Sequence, residues 1–445
     1  MRDEFKRAYE IAETAARSLG IRDLEVLMVA HSEALTRFAN NAIHQNVAEK
    51  SRALSVRVVK DQRTARASTN RVDPDAIRRT VEEAVALTRA SEADPALLPL
   101  FESEAYDEKP RFDAITADAT PERRAQAVAK AIGIIESAGQ TAAGICSTLH
   151  TVEALFNSTG LAECHVETMA NFSITALAPD SSGWAKASAV ALADLDPEAL
   201  AQSACRKAAQ SSDPVELPPG SYTVVLEPAA VLDLVGQMFG DFSATAVTDQ
   251  RSFLNDRLGT RLFGENITIY DDVRHPLQSG TPYDGEGVPR KRLTLVENGV
   301  VRDLAYSRAS AAKAGVAPTG HGFPLPNEVG EAPHNIVMEG GDTTLQQMIA
   351  SVSHGILVTR LWYIREVDPY EKIMTGMTRD GTFLIENGRV VRGIRNFRFN
   401  QGLIELLNNV EALSVSARAS GEEAFDMVMP AMLARNFQFT EVTRF

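Results

Sequence analysis

The chain has 445 residues, 44% of them hydrophobic and 23% charged, with a net charge of −14. That length accommodates two or three domains with real cores. The excess of acid argues against a sequence-independent grip on nucleic acid and against attachment to anionic membranes.

The first twenty residues are charged and amphipathic, without the apolar core of a signal segment. No apolar run reaches the length of a bilayer span, so the expected location is the cytoplasm. Phe5, Ala8, Ala12, Ala15 and Leu19 repeat at helical spacing, which predicts a helix over 5–19. Strands are predicted at 24–30, 34–38, 43–47, 53–59 and 64–68. Asn40-Asn41 and Asp61-Gln62 are placed for tight turns. A helix over 73–90 could cover one face of that antiparallel sheet, which gives an α+β layer for residues 1–92.

Residues 91–118 are rich in Pro, Asp and Glu and read as a connector. Thr120, Pro121 and Glu122 mark a helix start, and Gly139 its stop. Strands at 143–148, 153–157, 163–177 and 183–190 and a helix at 196–209 complete a second α+β unit, 110–212. Three prolines in 212–219 mark a boundary. From 218 to 445 strands with Gly and Asn turns dominate, so this part is expected to be β-rich and barrel-like. Asn298-Gly299 and Asn387-Gly388 are its strongest hairpin signals. Late helices are predicted over 342–352 and 401–412, with a strand in the tail.

Pro228 opens a short helix in which Val231, Leu234, Val235 and Met238 form the apolar side. Around it and beyond, three segments stand in a fixed order: GEGVPRKRLTLVENGVVRD, YSRASAAKAGVAPTGHG and FLIENGRVVRGIRNFRFNQGLIELLNNVEAL. With these segments the chain resembles the TldD/PmbA (TldD/TldE) family, whose active members are zinc proteases carrying H-E-x-x-x-H on that helix. Leu232, Asp233 and Gln237 stand at the matching positions here. The active subunit also has a late Cys ligand, whereas no Cys follows Cys205. Both departures are similar to the metal-free TldE/PmbA subunit. The resemblance therefore implies no catalytic residue and no cofactor in this chain, with zinc in a TldD-like partner. The pair would process unfolded peptides in a shared cavity.

The chemistry agrees with that expectation. Peptide hydrolysis by zinc needs about three protein ligands and an open position for water. Leucine offers no lone pair, a glutamine amide oxygen is a weak zinc ligand, and Asp233 would misplace a general base by roughly an ångström. Asp233, Gln237 and Asp241 recur every four residues, as a hard-cation site or simply a polar face. His321, His334 and His354 could converge on a relocated zinc. His321, in a Gly-flanked loop, and Arg290 and Arg292, at alternating positions, are candidates for binding substrate or a partner subunit. Two other readings stay open: a self-sufficient metallopeptidase with atypical ligands, and a non-catalytic homodimeric binding or regulatory protein. The three cysteines read as reduced buried thiols. G-x-S-x-G and the phosphate-binding loop motif are both absent.

Overall fold

A computed structural model describes residues 2–106 and 109–443. The amino-terminal elements are α1 (Arg2–Ser18), β1 (Asp23–Ala39), β2 (Ala42–Lys60), β3 (Arg63–Thr69), α2 (Pro74–Ala90) and the single turn α3 (Ala114–Ala117). The second group is α4 (Pro121–Ser137), β4 (Thr141–Asn157), β5 (Ala162–Leu177), β6 (Ser182–Ala189) and α5 (Pro197–Gln210). Asp73, Thr120 and Asp196 cap their helices through side-chain oxygens, each just before a proline at the first turn.

All six strands form one antiparallel sheet in the order β3-β2-β1-β4-β5-β6. The units 1–92 and 110–212 thus share a single sheet, joined where β1 pairs with β4 from Glu25–Asn157 to Phe38–Gly144. Strands expected as separate pairs are continuous: β1 runs through His31-Ser32-Glu33, and β4 through Leu149–Val152. Both stretches lack Gly or Pro, so they continue the strand rather than turn it, the first largely solvated and the second half-buried to buried. The even-numbered face of β1 carries both helix pairs. Leu24, Val26 and Met28 pack under α1 and α2, and Phe38 packs with Cys146 and Phe172 under α4 and α5. The opposite face meets the carboxy-terminal half.

That half holds β7 (Gly220–Leu226), α6 (Pro228–Val235), a 3-10 turn (Gly236–Phe242) and α7 (Ala244–Thr248). After these come β8 (Ile269–Asp271), β9 (Leu293–Glu297), β10 (Val300–Val301), α8 (Arg308–Ala314), β11 (Ile336–Met338) and α9 (Leu345–Ser351). The chain ends with β12 (His354–Asp368), β13 (Ile373–Glu386), β14 (Arg389–Gly393), β15 (Phe397–Gly402), α10 (Leu403–Asn408), β16 (Val410–Leu413), β17 (Ala417–Ala419), β18 (Met427–Met429) and β19 (Met432–Val442). β12-β7-β19-β15-β13 close into a five-stranded barrel through the β12–β13 pairing, and a second sheet runs β10-β9-β8-β11-β18-β17. The α+β architecture with a barrel is therefore as expected. Both Asn-Gly pairs adopt left-handed backbone, with φ of 47° and 78° at Asn298-Gly299 and 48° and 75° at Asn387-Gly388. The late helices are shorter than their apolar pattern suggests, because Thr344 caps the first inside its predicted span and the second ends at Asn408 as the chain enters β16. Among the described residues, no helix is long and apolar enough to cross a membrane.

Candidate functional site

β7 is held between β12 and β19, and its last residues Val224, Val225 and Leu226 are fully buried. The chain leaves the barrel at Glu227, turns at Pro228 and enters α6, whose residues from Ala230 to Val235 are all buried. Leu232 lies wholly inside the main hydrophobic core with Val231, Leu234 and Val235. Its position contributes packing alone.

Asp233 is equally buried, yet its carboxylate is engaged. Oδ1 accepts hydrogen bonds from the backbone N–H groups of Glu422 at 2.9 Å and Glu423 at 3.0 Å. Oδ2 is buried without a partner. Burial pushes the carboxyl up to about 6, against the pull of those two N–H groups and of Arg360. Gln237 turns its amide nitrogen to the same loop, donating to the carbonyls of Asp233 and Glu423, both at 3.1 Å. The loop approaches so closely that a Cβ on Gly421 would lie 2.1 Å from Asp233 Oδ1. Only glycine fits there.

The far side of the loop is tied down as well. Lys186 Nζ, on β6, donates to the Gly421 carbonyl at 2.6 Å. The Glu423 carboxylate accepts the backbone N–H groups of Tyr363 at 2.8 Å and Ile364 at 3.2 Å. Tyr363 sits in a bulge of β12 at φ 56°, a conformation bulky side chains rarely adopt. Arg418 and Asp426 pair at 3.2 Å and both reach Ser188 of β6. At the tip, Phe425 is 73% exposed, with its ring 5.3 Å from that of His334.

This donor set does not suit a metal. Leu232 supplies no donor atom, Gln237 presents N–H groups, and one oxygen of Asp233 is spent on the loop. Asp241 is not joined to Asp233 in a hard-cation site, since its carboxylate pairs with the buried Lys372, which also meets Glu366. Nor do the three histidines converge. His321 and His334 both adjoin Asp271, whereas His354 faces Tyr222 on the barrel. No cluster of three or more His, Cys, Asp or Glu suited to a metal occurs among the described residues.

His321 is 1% exposed. Its Nε2 lies 3.1 Å from Asp271 Oδ1, and its Nδ1 is 2.9 Å from Thr319 Oγ1. Burial alone would raise the Asp271 carboxyl, but His321, Arg290 and the His334 N–H overcome it and hold the group far below the usual carboxylate range. In this chain His321 thus ties its loop to β8 and offers no face to solvent. Arg290 and Arg292 do not share a face, because β9 starts only at Leu293. Arg290 turns inward to the Tyr283 carbonyl at 3.2 Å, and Arg292 lies outside, its guanidinium 3.7 Å over the Tyr270 ring.

Sequence reasoning missed Arg360, Lys186 and the paired acids Asp284 and Glu286. Arg360 is a buried cation that pairs with Asp380 and lies 4.8 Å from the Trp184 ring centroid. A single arginine inside the apolar run Ile356–Leu361 was its only signal. Burial, aided by Asp284, pushes Glu286 up to about 7.

The same layout recurs in known proteins. Residues 24–88 match the family model of PmbA/TldA metallopeptidase domain 1, 75–211 that of the central domain, and 219–441 that of the C-terminal domain. The chain is 25% identical to "Metalloprotease PmbA" of Escherichia coli O157:H7 over 373 residues, 80% of each chain. It is 26% identical to a "Metalloprotease" of Methanothermobacter thermautotrophicus over 211 residues, 45% of this chain and 44% of that one. In fold it is similar to the crystal structure of TldE from Thermococcus kodakarensis, with a TM-score of 0.87, 21% identity, and coverage of 98% of this chain and 100% of that one.

Proposed function

The chain belongs to the TldD/PmbA metallopeptidase family, and we propose that within it this chain is the non-metallated subunit of a two-subunit peptidase. Its role is to shape the cavity in which a zinc-bearing TldD-like partner cleaves unfolded peptides. One observation carries this reading. The helix positions that would have to hold the metal are committed to packing and to backbone hydrogen bonds of the 421–423 loop. Bond cleavage by this chain alone would require breaking those contacts and finding ligands elsewhere. The loop beside the helix, tied down at Gly421 and Glu423, supports a second part of the role, since it leaves Phe425 exposed against the ring of His334 from the segment before β11.

The test mixes this chain with a zinc-bearing member of the family and an unstructured peptide. Cleavage is expected only with both chains and is expected to stop on adding a chelator. This chain purified alone should retain no zinc after dialysis. A partner equally active by itself, or one zinc held per copy of this chain, would overturn the proposal.

A further inference from the structure

A polar cleft of about 280 Å³ lies where the β5–β6 turn and the end of α5 meet β13, the Ile394–Asn396 segment and Thr443. It shares no residue with α6 or with the 421–423 loop. Asp380 lines it and is 7% exposed. Here β13 sets two residues, Asp380 and Gly381, against the single Thr359 of β12, and both take left-handed backbone, with φ of 52° and 127°. A bulge of this kind re-aims a side chain. A Cβ on Gly381 would lie 2.5 Å from Thr359 Oγ1, so the bulge requires glycine. Arg360 fixes the carboxylate, its Nε donating to Asp380 Oδ2 at 2.9 Å.

The hydroxyl groups along the cleft have committed their protons elsewhere. Ser182 Oγ donates to Asp380 Oδ1 at 2.6 Å, and Ser181 Oγ to the Ala208 carbonyl at 2.8 Å. Ser211 Oγ donates to the Lys207 carbonyl at 2.7 Å, Thr443 Oγ1 to the Asn396 carbonyl at 3.0 Å, and Thr382 Oγ1 to Asn396 Oδ1 at 2.9 Å. A hydroxyl has one proton and two lone pairs, so each of these groups can still offer only an acceptor. Asp180, on the turn, adds a second carboxylate, one oxygen of which accepts the Asp213 N–H at 2.8 Å. Asn396 is the exception. Thr378 and Thr382 both donate to its Oδ1, which leaves the Nδ2 N–H groups without a partner among the described residues. Arg395, also on the wall, lies 3.5 Å from Glu216.

We propose that this cleft binds the amino terminus of a short peptide, its ammonium on the oxygens around Asp380 and its first carbonyl on Asn396 Nδ2. An ammonium brings three donors and a positive charge, the complement of hydroxyl lone pairs beside two carboxylates. The carbonyl next to it in any peptide matches the one free donor. A sugar hydroxyl carries no charge to set against the acids, and an anion is repelled by them. The volume is near the lower end for ligand pockets, about 300 Å³, and suits one or two residues.

The experiment titrates the full chain with alanylalanine by calorimetry. Binding is expected at pH 7, where an α-amino group with its ordinary value near 8 is charged, and should fall roughly thirtyfold at pH 9.5. N-acetyl-alanylalanine should not bind, and ethylamine, which lacks the carbonyl, should bind about fivefold more weakly. Ser182→Lys places the chain's own ammonium beside Asp380 and should abolish binding with an unchanged circular dichroism spectrum. The milder Ser182→Ala removes one acceptor and should weaken binding about fivefold. No binding by the wild type at millimolar peptide would overturn the proposal, as would equal binding of the acetylated peptide. So would binding that survives Ser182→Lys or is unchanged in Ser182→Ala, since the peptide would then sit elsewhere on the chain. None of these measurements depends on cleavage, so the peptidase reading stands or falls separately.

Discussion

Asp233 shows what a buried carboxylate on a packed helix can do. Its Oδ1 clamps two backbone N–H groups of a distant loop. The clamp leaves one oxygen buried and unpartnered, and this sets a pH dependence. The ordinary Asp value is 3.8 and the folded value is about 6, so the folded state holds the proton more tightly. The stabilisation is full below pH 3.8 and is lost as pH rises through 6. The difference corresponds to roughly 3 kcal/mol. Asp233→Asn keeps an acceptor for the loop and removes the titration. Denaturant unfolding at a series of pH values should show the wild type losing about that much stability between pH 4 and 6 relative to the variant. Parallel curves for the two proteins would refute the assignment. The identities Leu232, Asp233 and Gln237 were legible in the sequence, but the loop partners of Asp233 and Gln237, 186 to 190 residues away, were not.

At the scale of elements, local chemistry was the most readable. Thr120 was read as the start of α4 and caps it, whereas Asp73, read as the first residue of its helix, turns out to be the cap of α2. The two caps differ in quality. Asp73 Oδ1 accepts from Ala76 N at 3.0 Å, whereas Thr120 Oγ1 accepts from Arg123 N at 3.4 Å. Asp73→Ala should therefore cost about 1 kcal/mol, and Thr120→Ala less. Thermal melts of the two variants check the order, and an equal or reversed loss would count against it. Hairpins set by Asn-Gly were equally plain, because the turn needs left-handed backbone at both residues. Strand length was not plain. β1 and β4 cross stretches where the alternation fades, and their pairing with each other and with β2 and β5 carries them through.

For the whole molecule, the decisive contacts join parts far apart in the chain. Glu25 on β1 is 1% exposed and pairs with Arg57 at 3.3 Å and Arg66 at 2.6 Å. Arg66 also donates to the carbonyl of Leu325 at 2.7 Å, fixing the amino-terminal sheet to the carboxy-terminal half. Removing the acid leaves the buried Arg57 and the half-buried Arg66 without their ion-pair partner. Glu25→Ala should cost about 3–5 kcal/mol and lower the calorimetric transition. A loss under about 1 kcal/mol would show that water replaces the carboxylate at this seam.

The linear chain by itself determined the α+β layers, the helix caps, the Asn-Gly hairpins and the lack of metal-binding side chains at 232 and 237. Each of these depends on residues within a turn or two of one another, where spacing and side-chain chemistry act directly. Tertiary structure alone decided that six strands form one sheet, that Asp233 and Gln237 clamp a late loop, and that His321 is sealed inside. Those outcomes come from pairings between residues up to hundreds of positions apart. Such pairings arise only when separate apolar faces are buried together, and no local pattern records which faces will meet.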